Sequence, residues 1–301
     1  MKWLELSVTT PPEFVEPLSQ IFYRYGHGGV AVEMEGGHNP DEGEPPPVAE
    51  LVTVKTYLPF DTASKQRRHR IDLGVRLVAH VGPVSALQER VLEEEEWETS
   101  WKQHFHVLQV GKRLVIAPTW RDYEPADSDI VIRLDPGMAF GTGHHPTTRM
   151  CLERLEDLVR PGMGVLDVGC GSGILSIAAA KLGAGSVFGL EIDSAAVGVA
   201  TQNIRINGAA QSIRIARGSL PHGEVRRSSF AVAVANISAK VVSDIALDLA
   251  RAVRPGGKVI ASGILLDNKN GVERSLAAAG GVIIEETIVD GDWVTLVASV
   301  S

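Results

Sequence analysis

Residues 165–182 restrict the possible folds of this chain more than any other segment. A short apolar run at 165–168 leads into Gly169-Cys-Gly-Ser-Gly173, and a helix-forming stretch follows at 174–182. A strand, a tight glycine turn and a helix in this order form the start of a βαβ unit. Downstream, helical stretches alternate with apolar runs at 186–192, 212–216, 230–235 and 258–262. This alternation predicts an α/β fold with a Rossmann-like, doubly wound parallel sheet and helices on both faces.

The C-terminal end of the predicted sheet differs from the rest. Two apolar runs, at 282–288 and 293–299, are separated by a short turn that contains Gly291. Strands joined by so few residues pair antiparallel, because a parallel pair needs a long crossover. We therefore expect a C-terminal antiparallel hairpin.

The first 95 residues follow another pattern. Apolar and polar residues alternate over 3–8, which indicates a strand. Thr10 before two prolines marks the start of a helix that we expect to end at Gly28-Gly29. Later strands are expected at 30–34, 51–57 and 86–92, with a second helix at 62–80. The order βαββαβ predicts a small ferredoxin-like α+β domain.

These patterns divide the chain into a first domain at 1–95, a connector at 96–125 and a second domain at 126–301. Residues 36–47 have no side chain that could join a core, so we expect a mobile loop there. Trp97 and Trp101 lie one helical turn apart in the connector. They either pack the connector against a domain or form part of a substrate surface.

The net charge of −8 is concentrated near the N-terminus. Residues 1–96 hold 9 Lys or Arg and 16 Asp or Glu, a charge of −7, which leaves −1 for the rest. Nucleic-acid binding needs a basic face, and no run approaches the ~20 apolar residues of a membrane span. Cys151 and Cys170 are too few for a disulfide scaffold and are expected to be buried thiols. We therefore expect a cytoplasmic protein without a nucleic-acid or membrane partner, whose acidic part could attract a basic protein.

The glycine spacing indicates which ligand the strand–helix turn accepts. Dinucleotide-binding folds carry G-x-G-x-x-G and place a pyrophosphate at the helix N-terminus. Here Gly169, Gly171 and Gly173 give G-x-G-x-G, and Asp167 precedes them. A carboxylate at this position disfavours a phosphate and suits a cation, such as the amino group of a methionine tail. The pattern therefore disfavours an NAD-dependent oxidoreductase.

Two more polar residues end later strands of the same sheet. Glu191 ends the second strand, where a carboxylate can accept both hydroxyls of a ribose. Asp193 is expected to cap the following helix. Asn236 ends the fourth strand and would offer its carbonyl oxygen to an amine nucleophile, so we take it as the candidate catalytic residue. Ile237 and Ser238 follow it, which departs from the Asn-Pro-Pro-Tyr form used on nucleobase and glutamine amides.

A loop rich in glycine and proline, residues 134–148, precedes the sheet and is predicted to be tightly turned. Thr147 and Thr148 are expected to cap the helix that follows. His144 and His145 are adjacent and so point apart, and no carboxylate or cysteine completes a ligand set with them. We therefore expect no metal site.

Four motifs together resemble the ribosomal protein L11 methyltransferase family, within the class I S-adenosylmethionine-dependent methyltransferases. The motifs are Ala139-Phe-Gly-Thr-Gly-His-His-Pro-Thr-Thr148, Val165-Leu-Asp-Val-Gly-Cys-Gly-Ser-Gly173, Val234-Ala-Asn-Ile237 and Ser262-Gly-Ile264. The resemblance extends over nearly the whole chain, including 97–120 and the closing Asp292-Trp-Val-Thr-Leu296. Its most specific part is the Phe-Gly-Thr-Gly segment, which methyltransferases in general lack.

The resemblance implies methyl transfer from S-adenosylmethionine to lysine side chains and the N-terminal amine of ribosomal protein L11. It implies that the first domain recognises this basic substrate and that a flexible connector lets the catalytic domain reach several amines. We expect a monomer, because that motion needs room. Many members of the family carry Asp where this chain has Glu191. The cofactor contacts implied by the resemblance are Thr148, Gly169, Glu191 and Asn236, and the substrate loop consists of Phe140, Gly141, Thr142 and Gly143.

Two other functions stay open from the sequence. A methyltransferase for another basic protein or for a small amine would share every cofactor residue. A domain that binds the cofactor or a partner without turnover is disfavoured, because Glu191 and the glycines are all retained. No residue stands out as a general base.

Overall fold

The computed structural model describes residues 2–34, 51–61, 64–93, 106–134, 143 and 145–301. The chain divides into two compact units, Met1–Phe105 and His106–Ser301. Several positions singled out in the sequence lie outside the described residues: the loop at 36–47, Trp97, Trp101, Phe140, Gly141, Thr142 and His144.

The N-terminal unit contains one four-stranded antiparallel sheet with the strand order β2-β3-β1-β4. On β1, Leu4, Leu6 and Val8 alternate inward and pack against Phe22 of α1 and Ile71 of α2. Its elements are β1 (Lys2–Thr10), α1 (Val15–Tyr25), β2 (His27–Met34), β3 (Val52–Pro59), α2 (Ser64–Ala79) and β4 (Gln88–Glu93).

Helix α1 ends earlier than the sequence predicted. Its last residue is Tyr25, and the pair Gly28-Gly29, expected to end the helix, lies inside β2. Gly26 follows the helix, and a Cβ atom there would lie 2.0 Å from Thr56 Oγ1 on β3. The chain passes so close to β3 that only glycine fits at this position. The end of α1 is therefore set by a contact between elements that are distant in sequence.

The second unit carries most of the chain. It begins with a small sheet of β5 (Leu108–Val110), β6 (Leu114–Pro118) and β7 (Ile130–Leu134). Its helices are α3 (Pro146–Leu158), α4 (Ile174–Lys181), α5 (Ser194–Ile206), α6 (Ala239–Ala252) and α7 (Lys269–Ala278). The remaining strands are β8 (Gly164–Val168), β9 (Ser186–Glu191), β10 (Ile213–Arg217), β11 (Phe230–Asn236), β12 (Val253–Leu265), β13 (Val282–Asp290) and β14 (Trp293–Val300).

The large sheet has the strand order β10-β9-β8-β11-β12-β14-β13. The pairs from β10 to β12 are parallel, and β14 pairs antiparallel with both β12 and β13. The chain proceeds from β8 to β9 and β10 on one side and then returns to place β11 on the other. The order therefore reverses between β8 and β11, where open α/β sheets bind their ligands.

Apolar residues on both faces of this sheet are buried against helices. On one face, Val165 of β8 belongs to a cluster with Leu155 of α3 and Ile177 of α4. On the other face, Leu166 belongs to a cluster with Val242 of α6. A parallel strand that is buried on both faces consists of a continuous run of apolar residues. The sequence therefore predicted a strand such as β8 correctly. No helix among the described residues is long and apolar enough to span a membrane.

Candidate active site at the carboxyl edge of the large sheet

Asp167, Glu191 and Asn236 come from three neighbouring strands of the large sheet. Asp167 on β8 lies opposite Gly189 on β9 and opposite Val234 on β11. Glu191 and Asn236 each lie two residues further along their own strands. Because these strands are parallel, the three polar residues occupy one edge of the sheet, with Asp167 between the other two.

The turn after β8 needs glycine at the three predicted positions. Gly169, Gly171 and Gly173 have φ values of +76°, +52° and +82°, a region that side chains disfavour. A Cβ on Gly169 would lie 2.3 Å from Ile237 Cγ2, just beyond the end of β11. The turn therefore passes close to the neighbouring strand and exposes backbone rather than side chains to the carboxyl edge.

Glu191 connects the end of β9 to this turn. Its Oε2 accepts a hydrogen bond from the Gly171 N–H at 2.9 Å, and its Oε1 accepts one from the Asp193 N–H at 3.0 Å. The side chain is largely buried. Each carboxylate oxygen can accept a further bond, so the group can still bind two hydroxyls. Asp193 caps α5 as predicted, since its carboxylate accepts the Ala195 N–H at 2.9 Å.

Asp167 is fully buried and only half satisfied. Its Oδ2 accepts a hydrogen bond from Ser176 Oγ at 2.6 Å, whereas its Oδ1 has no partner among the described residues. Burial raises the pKa of Asp167 to about 6, and the nearby charge of Glu191 adds to this rise, while the bond from Ser176 opposes it. A cation beside Oδ1 would supply the partner that the carboxylate lacks.

Asn236 presents its side-chain oxygen rather than its nitrogen. Its Nδ2 donates a hydrogen bond to Thr148 Oγ1 at 3.2 Å. Its Oδ1 is buried and has no hydrogen-bond partner within the described part of the chain. Since the nitrogen is engaged by Thr148, the oxygen is the acceptor that the site offers to a donor.

Thr148 lies inside α3 instead of capping it, as does Thr147. The cap is His145, whose Nδ1 accepts the Thr147 N–H at 3.3 Å and lies 2.7 Å from Thr147 Oγ1. The ring also packs edge-on against Trp293, with the ring centroids 4.8 Å apart. The prediction that the two threonines cap the helix was wrong, because α3 starts at Pro146 and both threonines lie in its first turn.

Gly143 is the one residue of the predicted substrate loop that the structure describes. Its φ is +91°, and a Cβ there would lie 3.2 Å from Ile116 Cγ1 and 3.3 Å from Ile174 Cδ1. The end of the loop therefore lies against β6 and the first residue of α4.

Three features of this edge were missed in the sequence. Ile192, directly after Glu191, is 68% exposed. An apolar residue directly after a strand end could have been predicted to form an apolar contact with a ligand. Ser176 bonds to Asp167 from α4, and Ser262 bonds to Thr295 from β12. No spacing rule predicts these two pairs, because both depend on how distant elements pack.

The two thiols are buried as predicted. Burial raises the pKa of Cys151 to about 12 and that of Cys170 even further above its usual range. Neither is therefore a nucleophilic thiolate at neutral pH. Among the described residues, no three His, Cys, Asp or Glu side chains lie together as metal ligands would.

Comparison with known proteins gives a consistent result. The family model described as "Ribosomal protein L11 methyltransferase (PrmA)" matches residues 2–300. A relative of that name from Chloroflexus aurantiacus is 43% identical, covering 98% of this chain and 97% of the relative. One from Pelotomaculum thermopropionicum is 42% identical, covering 99% of each. A crystal structure of a ribosomal protein L11 methylase from Lactobacillus delbrueckii subsp. bulgaricus is 36% identical with a TM-score of 0.60, covering 65% of this chain and 99% of that one.

Proposed function

The chain belongs to the ribosomal protein L11 methyltransferase family, and from this premise we propose that it transfers methyl groups from S-adenosylmethionine to amines of ribosomal protein L11. The acceptors are lysine side chains and the N-terminal amine. The observation that carries the proposal is a pair of buried oxygens at one edge of the sheet, Asp167 Oδ1 and Asn236 Oδ1, which have no partner among the residues that the structure describes.

These two oxygens fit a ligand rich in hydrogen-bond donors. A buried acceptor without a partner costs on the order of 1–3 kcal/mol, and a ligand that donates a hydrogen bond to it removes this cost. Asp167 would hold the cationic amino group of S-adenosylmethionine, and Glu191 would accept its two ribose hydroxyls. Ile192 would offer an apolar contact to the adenine. Thr148, Gly169, Gly171 and Gly173 complete the proposed set by letting backbone and hydroxyl groups approach the cofactor.

S-adenosylmethionine, when bound, supplies a methyl group that its sulfonium makes electrophilic. Asn236 is the proposed catalytic residue, because its Oδ1 can accept an N–H of the incoming neutral amine and so direct the nitrogen lone pair. A lysine ammonium has no lone pair, and its ordinary pKa is about 10.4, so a proton must leave before transfer. Asn236 cannot take up that proton. The contribution of the chain is then mainly positioning and exclusion of water.

Three segments of the chain have separate proposed roles. We assign residues 1–95 to substrate recognition, 96–125 to a connector and 126–301 to catalysis, with Phe140, Gly141, Thr142 and Gly143 as a loop that contacts the substrate. The antiparallel order β2-β3-β1-β4 supports a ferredoxin-like first domain. The antiparallel pair β13–β14 supports the methyltransferase variant of the Rossmann-like sheet.

The charge of the chain supports a basic protein as the substrate. Residues 1–96 carry −7 of the net −8, and an acidic surface accelerates the approach of a basic partner. We propose that the enzyme acts as a monomer in the cytoplasm, without direct contact to nucleic acid or membrane.

The proposal is tested with the purified chain, labelled S-adenosylmethionine and a panel of separate ribosomal proteins that includes L11. We expect label in L11, with fragments that locate it on lysines and the N-terminal amine. Asn236→Ala serves as the matched control with strongly reduced activity. Labelling of another basic protein or of a small amine in preference to L11 would contradict the substrate assignment.

A further inference from the structure

Two buried hydroxyl side chains lie next to the strand that carries Asn236. Ser262 Oγ on β12 and Thr295 Oγ1 on β14 are 2.6 Å apart, and both residues are fully buried. Neither belongs to the proposed cofactor-binding set. The two hydroxyls satisfy each other's hydrogen bonding, so their burial costs little. The further contacts of the pair show what it holds in place.

A β-bulge brings this pair together. Ala261 lies opposite Leu296, and Ile264 lies opposite Val294. Two residues of β12, Ser262 and Gly263, therefore lie opposite the single residue Thr295 of β14. One of the two is Gly263, whose φ of +79° places it in the left-handed region. Bulges redirect side chains and occur beside active sites. Here the bulge sets Ser262 against Thr295.

Ser262 also contacts both segments that hold the Thr148–Asn236 bond. Its Oγ donates a hydrogen bond to the Thr147 carbonyl at 3.4 Å, directly before Thr148. Its own carbonyl accepts the Ile237 N–H at 3.1 Å, directly after Asn236. One residue thus connects the first turn of α3 to the end of β11.

Ser262 Oγ lies between two oxygens, the Thr147 carbonyl at 3.4 Å and Thr295 Oγ1 at 2.6 Å. Either hydroxyl can donate in the shorter contact. In the arrangement that satisfies both contacts, Ser262 donates to the carbonyl, which only accepts, and Thr295 donates to Ser262 Oγ. Removing the Thr295 hydroxyl leaves Ser262 without this donor and frees its side chain to turn away from Thr147.

We propose that Ser262 and Thr295 are positioning residues for methyl transfer, acting through Thr148 on the orientation of the Asn236 carboxamide. This inference rests on the proposed function. The terminal torsion of an asparagine has two nearly equivalent states, which exchange its oxygen and nitrogen. In the state that the structure shows, Nδ2 donates to Thr148 Oγ1 and Oδ1 is left for the amine. A shift of the first turn of α3 would lengthen this bond and loosen the carboxamide, so that a donor could take the place of the acceptor.

A matched pair of variants separates positioning from packing. Thr295→Val keeps the volume and removes the hydroxyl, whereas Thr295→Ser keeps the hydroxyl and removes a methyl group. For Thr295→Val we expect kcat to fall about tenfold, with the Kd for S-adenosylmethionine within about twofold of wild type. We expect Thr295→Ser to recover most of the loss. Melting temperatures of both variants are measured alongside.

A double-mutant cycle tests the route through Thr148. In a Thr148→Val background the bond to Asn236 is already absent, so Thr295→Val should lower kcat no further. If Thr295→Val proves unable to fold, Ser262→Ala removes the same connection and takes its place in the cycle.

The outcomes separate this inference from the proposed function. A wild-type enzyme without any transferase activity would overturn both the proposed function and the positioning role. An active enzyme that prefers another amine would overturn only the L11 assignment, and the double-mutant cycle would then be measured with that amine. With an active wild type, three results would each overturn the positioning role: an unchanged kcat in Thr295→Val, a Ser variant no better than the Val variant, or fully additive losses in the cycle.

Discussion

Glu191 holds the glycine turn in place through Gly171, with 2.9 Å between Oε2 and the backbone nitrogen. Its other oxygen accepts the Asp193 N–H at 3.0 Å. One carboxylate therefore joins the end of β9 to both the turn after β8 and the start of α5. The proposed ribose ligand and the glycine turn depend on the same side chain, so changes to it should affect binding and local structure together.

Glu191→Gln provides a test of this dual role. Glutamine has one accepting oxygen where two backbone N–H groups require acceptors, and it lacks the charge that strengthens those bonds. We expect the Kd for S-adenosylmethionine, measured by calorimetry, to rise about tenfold or more. Glu191→Asp is the control, since it keeps two charged oxygens and should bind more tightly than the Gln variant. Equal affinity of the Gln variant and wild type would remove Glu191 from the cofactor set.

Asp167→Asn should stabilise the cofactor-free protein at neutral pH. The pKa of Asp167 in the fold is about 6, above its ordinary value of 3.8. The native state therefore retains this proton where the unfolded chain has lost it, so the free energy of unfolding falls as the pH rises from about 4 to about 6. Asparagine has no such proton. The variant should gain on the order of 3 kcal/mol over wild type at pH 7 and above, and little below pH 4.

Urea unfolding of both proteins at several pH values measures this difference. The same variant should bind S-adenosylmethionine more weakly, because the counter-charge for its amino group is gone. A difference in stability that does not change with pH would show that the buried carboxylate is not its source.

Gly169→Ala should destabilise the second unit. The residue has a φ of +76°, and an added Cβ would lie 2.3 Å from Ile237 Cγ2. The strained backbone alone costs about 1–2 kcal/mol, so we expect the melting temperature to fall by about 5 °C or more. Gly198→Ala is the matched control. It lies within α5, and a Cβ added there would have no described atom outside its own helical turn within 4 Å. The control should be neutral or stabilising.

Asn236→Ala should separate catalysis from cofactor binding. The loss of the Oδ1 acceptor leaves the incoming amine without orientation, so we expect kcat to fall about a hundredfold. The Kd for S-adenosylmethionine should stay within about threefold of wild type, because Asp167 and Glu191 remain. Single-turnover methylation of L11 and calorimetry give the two quantities. Full activity with intact binding would exclude the assigned role.

The sequence predicted the elements of the large sheet well but misplaced two helix ends. The central strands β8 and β11 appear as apolar runs because both faces are buried, whereas the edge strand β10 has exposed residues between and after Ile213 and Ile215. The end of α1 was predicted at Gly28-Gly29, but the close approach of Gly26 to Thr56 ends it at Tyr25. The start of α3 was predicted beyond Thr148, although His145 caps it. In both cases the local signal was ambiguous among neighbouring residues.

By itself the sequence determined the order of strands and helices, the need for glycine after β8 and the presence of Asp167, Glu191 and Asn236 at strand ends. These are local properties, since backbone conformation and strand ends depend on nearby residues. Only the tertiary structure decided the partners: Ser176 for Asp167, Thr148 for Asn236 and Ser262 for Thr295, separated by 9, 88 and 33 residues in the chain. A side-chain hydrogen bond spans about 3 Å, and only the packing of helices on the sheet brings such distant residues within that distance.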